Sequence, residues 1–115
     1  MQYVYVAMNN SGLIKIGTTN DKADRQNRFN QAKHNKGMRI MVAVALAKEG
    51  RAYAWAVESL LRYDLSLYNV RHGTMDTFHY NGTDFHPKAY INAFARKVAK
   101  AEAILDRTKT RGYLL

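Results

Sequence analysis

Glu58 and Arg25 are two charged side chains that helical spacing sets beside apolar stripes, where a carboxylate or a guanidinium can do chemistry. Residues 51–68 carry apolar side chains at helical spacing (Tyr53, Val57, Leu60, Leu61, Leu65, Tyr68), so they form an amphipathic helix. At about 100° per residue Glu58 falls beside Ala54 and Leu65, at the edge of the apolar stripe. A carboxylate there is half-buried. It can serve a reaction, or it can pair with Arg62 four residues on or with Arg51 earlier on the helix, as a surface ion pair worth a few tenths of a kcal/mol. Arg25 shares a face with Phe29 and Ala32, so its planar, permanently charged fork reaches along an apolar stripe and suits a phosphate oxygen. Its alternative is an ordinary helix pair with Asp21. Arg28, three residues on, is a reserve phosphate contact.

The four histidines, His34, His72, His79 and His86, lack the spacing of zinc enzymes, and no cysteine is present, so any metal must be held by oxygen or imidazole. No phosphate-binding glycine loop, nucleophile elbow or dinucleotide fingerprint occurs. Eighteen Lys and Arg against nine Asp and Glu give a net charge of +9. That balance favours a polyanion through counterion release, and nucleic acid is the first candidate. RNA shares every charge argument with DNA.

The elements that must position these residues begin with a hairpin. Residues 3–8 alternate in a β-rich run, residues 9–12 (Asn-Asn-Ser-Gly) turn, and residues 13–18 form a second β-branched run. A three-residue loop with Gly12 in the left-handed region sets Tyr5 opposite Gly17 and Ala7 opposite Lys15. Tyr3, Tyr5 and Lys15 then share one polar face, while Val4, Val6, Ile14 and Ile16 form an apolar face that a helix must cover. Residues 18–21 (Thr-Thr-Asn-Asp) supply N-cap candidates for a helix to about His34. Residues 38–47, apolar on both faces apart from Arg39, are expected to be a central strand. After the 51–68 helix comes a less regular segment, 69–84, with a turn at Asn81-Gly82 and a short strand at 77–80. Pro87 opens a last, basic helix over about 87–107, with Tyr90, Ile91, Phe94, Val98, Ala101 and Leu105 inward. The expected fold is a single α/β (α+β) domain over 1–115, a small three-stranded antiparallel sheet flanked by helices. No membrane span or leader peptide is legible, which predicts a cytoplasmic protein.

With hairpin, helix, strand and helix in this order, the residues resemble the GIY-YIG nuclease superfamily. Tyr3-Val4-Tyr5 is similar to its first signature triplet and Lys15-Ile16-Gly17 to its second, in the KIG form of the phage-associated branch. The family's essential arginine lies eight residues after the glycine, and Gly17 plus eight is Arg25. Its metal-binding glutamate lies on the later helix, where this chain has Glu58, 41 residues after Gly17.

The resemblance implies a GIY-YIG endonuclease hydrolysing phosphodiester bonds in double-stranded DNA, with Mg²⁺ or Mn²⁺ held by Glu58. It implies that Tyr5 contacts or activates the attacking water. Lys15 replaces the second tyrosine and would neutralise the phosphate or take the proton. Phe29 stands where the family often has His or Tyr, so no titratable group is supplied there. Asn69 fits the family's polar residue after the glutamate, and Arg71, Gly73, Asp76 and Phe78 resemble a downstream stretch of the phage-type branch. Nucleic-acid contacts are expected from Arg28, Lys33, Asn69, Arg71, Lys97 and Lys100. A partner protein or an oligomer would supply site specificity, and the setting implied is a bacterial cytoplasm, the gene being phage-borne. The competing expectation is a silent DNA-binding accessory or inhibitor that keeps the fold without cutting.

Overall fold

A computed structural model describes residues 1–31, 37–68, 70–72, 77–80 and 83–110. The hairpin forms as its residues dictate: strand β1 (Tyr3–Met8) pairs antiparallel with β2 (Leu13–Thr19), with Tyr5 opposite Gly17 and Ala7 opposite Lys15. Gly12 takes φ +85°, and the Asn9 side chain fixes the turn by accepting from the amides of Ser11 (3.0 Å) and Leu13 (3.1 Å). Helix α1 (Lys22–Gln31) follows directly. Asp21 caps it, its Oδ1 accepting from the Asp24 amide at 3.0 Å, and Thr19 Oγ1 holds the Asp21 amide at 3.1 Å.

Strand β3 (Arg39–Ala45) pairs with β1, helix α2 (Arg51–Ser66) follows, and the short strands β4 (Arg71–His72) and β5 (Thr77–His79) precede helix α3 (Pro87–Thr110). Among the described residues the sheet has five antiparallel strands in the order β3-β1-β2-β5-β4, where three were expected. Strand β5 falls on the short strand expected at 77–80, and β4, two residues long, is too short to carry a readable alternation. Strand β5 pairs with the open edge of β2, and β4 pairs with β5.

A second correction concerns residues 38–47. Strand β3 lies at an edge of the sheet, and β1 occupies the central place expected of it. The apolar content of β3 has a different cause, because α1 and α3 reach it from opposite faces. Its open backbone edge is partly closed by Gln26 of α1, whose side chain accepts from the Ile40 amide (2.8 Å) and donates to the Met38 carbonyl (2.9 Å).

The sheet separates two cores. Val4, Val6, Ile14 and Ile16 pack under α2 and α3, against Val57, Leu61, Leu65, Phe94 and Val98. Tyr5 and Ala7, on the opposite face, pack with Phe29 of α1 and with Met38. Tyr5 is only 1% exposed, so the hairpin face read as polar is apolar along β1 and open only along β2. Covering by the one buried residue of α1 makes the difference, and burial of Phe29 contributes about 1.5–3 kcal/mol. The far side is tied by Glu102 of α3, whose Oε2 accepts from the Tyr53 hydroxyl and from the Ala47 amide, both at 2.8 Å. No helix among the described residues is long and apolar enough to cross a membrane.

Candidate active site

Gly17 is where the site begins, because it leaves room for a phenol. A Cβ added at Gly17 would stand 2.6 Å from Cζ of Tyr5 and closer still to its hydroxyl, so only glycine lets the ring of the facing strand lie across β2. Phe29 holds that ring from the side, edge-on at 5.9 Å between centroids. The same Phe29 carries the Lys15 ammonium at 5.7 Å from its ring centroid. An apolar residue where the family often has a titratable one thus sets the position of two polar ones.

Tyr5 from β1, Lys15 and Thr18 from β2, Arg25 from α1, and Trp55 and Glu58 from α2 line one open depression of about 240 Å³, with Gly17 and Ile16 in its floor. The structure therefore brings together Tyr5, Lys15, Arg25 and Glu58. A second polar depression of about 250 Å³ adjoins it, sharing Thr18, Arg25 and Trp55 and adding Gln2, Thr19, Asn20, Arg51 and Ala54.

Arg25 stands in both depressions, and its Nε is buried without an acceptor among the described residues. An unpaired buried donor costs about 1–3 kcal/mol, more when charged, so the site is built with an acceptor missing. The Asp21 side chain, the alternative partner, is engaged in capping α1. Glu58 is half-buried as its helical position requires, with a side chain 17% exposed. Its alternative is realised, since Arg62 Nη1 lies 3.2 Å from Oε2. That pair orients the carboxylate at the rim without removing it from the depression.

Among the described residues no group of three or more His, Cys, Asp or Glu could hold a metal. A cation at Glu58 would have one protein carboxylate and take its other ligands from water and phosphate. Mg²⁺ is commonly bound in that way, so the residues present fit it.

The remaining expected contacts are dispersed. Arg28 is exposed on α1, its Nε 3.0 Å from Asp24 Oδ2. Arg71 faces His79, which faces Leu13, and this register puts Arg71 on the same sheet face as Lys15 and Tyr5, at the outer edge. Lys97 and Lys100 belong to α3 and are not brought to the site, because α3 covers the other face of the sheet. Lys97 sits over the rings of Tyr68 (5.1 Å) and Tyr90 (5.4 Å) and donates to Asp64 Oδ2 at 2.9 Å. Burial disfavours its ammonium, yet the hydrogen bonds and charges of Tyr68 and Asp64 outweigh that and hold its pKa above the usual lysine value. Lys33, Asn69, Gly73 and Asp76 lie outside the described residues.

Trp55 is the site residue that sequence reasoning missed. A signal for it exists: tryptophan interrupts the polar side of α2, three residues before Glu58 and four after Arg51. The chain matches no family model, no curated protein and no solved structure.

Proposed function

We propose that this chain is a DNA endonuclease of the GIY-YIG type, using Mg²⁺ or Mn²⁺ to hydrolyse phosphodiester bonds. The observation that carries the reading is the convergence of Tyr5, Lys15, Arg25 and Glu58, from four different elements, on one depression. The unpaired Arg25 Nε supports it, since a phosphate oxygen is the acceptor that a guanidinium in this setting lacks. A phosphodiester bound there meets Arg25 on one side and Lys15 on the other, which neutralise it and orient it.

Water attacks the phosphorus, a P–O bond to the leaving nucleotide breaks, and the water proton passes to the phenolate of Tyr5 or to the neutral amine of Lys15. Arg25 stabilises the negative charge that accumulates on the phosphoryl oxygens. Glu58 would hold the divalent cation, which would supply positive charge beside the phosphate. Arg71, on the same sheet face, extends the basic surface along the DNA. A partner protein or a second copy would add sequence specificity.

The second reading is a DNA-binding accessory or inhibitor that does not cut. The Glu58–Arg62 pair and the apolar Phe29 favour it. Supercoiled plasmid incubated with the protein decides between them. Metal-dependent nicking that EDTA stops, and that Glu58→Ala and Arg25→Ala both abolish, is the nuclease outcome. Salt-sensitive binding with no nicking under Mg²⁺ or Mn²⁺ is the other.

A further inference from the structure

Trp55 is the chain's single tryptophan, and its side chain is turned outward on α2 with 56% of its surface in water. A large aromatic left exposed beside a polar cavity forgoes the free energy of burial that the same helix obtains at Val57, Leu61 and Leu65. The indole walls both depressions, and the Arg51 guanidinium lies over its ring at 5.8 Å. Every other side chain lining the second depression is polar or small, none is acidic, and Gln2, Thr18 and Asn20 supply hydrogen-bonding groups of both kinds, the Thr19 hydroxyl being engaged with the Asp21 backbone. A flat π-face, a set of neutral donors and acceptors, and the shared Arg25 cation together match one nucleotide: base on the indole, base edge on the amides and hydroxyls, phosphate on the guanidinium.

We infer that Trp55 is a stacking platform for an unpaired DNA base next to the phosphate held at Arg25, so that the preferred substrate is single-stranded or frayed DNA. The bases of an intact duplex are stacked on one another and offer no face to the indole. The inference rests on the nuclease reading only in calling that phosphate the scissile one.

Because Trp55 is the only tryptophan, its fluorescence reports this position directly. The full chain is titrated in EDTA with a short thymidine oligonucleotide, with the same strand made abasic, and with a hairpin duplex carrying as many phosphates. The thymidine strand should quench the fluorescence and bind about tenfold or more tightly than the abasic strand or the duplex, as one stacked base warrants. Trp55→Phe should keep most of that preference, measured by anisotropy of labelled strands. Trp55→Ala should bring the thymidine strand down to the abasic level while keeping the wild-type cooperative thermal unfolding by circular dichroism, which shows the variant folded. Equal binding of the base-bearing and abasic strands, or a preference unchanged in Trp55→Ala, overturns the inference. The nuclease reading fails separately: base-dependent quenching in a protein that cuts neither plasmid nor the thymidine strand with Mg²⁺ or Mn²⁺ retains the platform, and cutting without base dependence rejects the platform alone.

Discussion

Tyr5 is buried as a core residue and yet lines the site, so its ring and its hydroxyl have separable roles. Tyr5→Phe keeps the ring between Gly17 and Phe29 and should leave the melting temperature nearly unchanged. Its plasmid-nicking rate should fall about 10²- to 10⁴-fold, the range for a lost proton-transfer group. Gly17→Ala affects both, because its methyl occupies the space of the phenol. Overpacking of this kind costs about 1–3 kcal/mol, read as a lower urea midpoint, and should displace the hydroxyl and suppress nicking as well. Tyr90 shows what a hydroxyl without a task does. Its oxygen is buried with no partner among the described residues, and burial pushes its pKa above the ordinary phenol value, the Asp64 and Tyr68 charges adding to the effect. Tyr90→Phe should therefore leave stability within about 1 kcal/mol of the wild type or raise it, in the same urea titration.

At the level of elements, α1 is held by few apolar contacts for a helix that carries Arg25. Phe29 is its one buried residue, and polar anchors do the rest: the Asp21 cap at its start, and the Gln26 amide bridging from its middle to the β3 edge. Gln26→Ala leaves the Ile40 amide and the Met38 carbonyl without that partner, and should cost about 1–3 kcal/mol. Hydrogen exchange at the Ile40 amide measures it, with faster exchange expected in the variant and unchanged exchange in the middle of β1. Loss of the Asp21 cap in Asp21→Ala should cost about 1 kcal/mol in the same assay. Helix α2 contributes differently. Its buried stripe of Ala54, Val57, Leu61 and Leu65 fixes the rotation of the helix, which turns Trp55 and Glu58 to the site.

For the whole molecule, three groups among the described residues, Tyr53, Tyr90 and Lys97, are displaced in one direction. Burial and the Glu102 carboxylate raise the Tyr53 phenol, burial raises Tyr90, and the partners of Lys97 raise its ammonium. In each case the folded chain keeps a proton that the unfolded chain loses at about pH 10 to 10.4. The stability they contribute is complete below that range and lost as pH rises through the higher folded values. Melting temperatures should be level from about pH 7 to 9 and fall steeply above about pH 10. A melting temperature that stays level to pH 11 would contradict this. The net charge of +9 makes a second prediction at this scale. DNA affinity should fall log-linearly with salt, and Arg71→Ala should reduce the slope by about one phosphate contact while Lys97→Ala leaves it unchanged, because Lys97 lies beyond the sheet and is paired to Asp64.

Local chemistry was enough for the hairpin and its consequences. A left-handed Gly12 in a three-residue loop permits one register, and that register alone sorts Val4, Val6, Ile14 and Ile16 from Tyr5 and Lys15. Helical periodicity was likewise enough for α2 and α3 and for the half-burial of Glu58. The position of β3 at the edge, the presence of β4 and the closure of the Tyr5 face were not legible. Each depends on which distant segment pairs with or covers a strand, and neither alternation nor propensity encodes that choice. The α3 lysines are expected as nucleic-acid contacts for their charge, and they stand on the other face because α3 packs there. Trp55 became a site residue only when α2 docked on the sheet, since exposure of an aromatic is a property of the assembled surface.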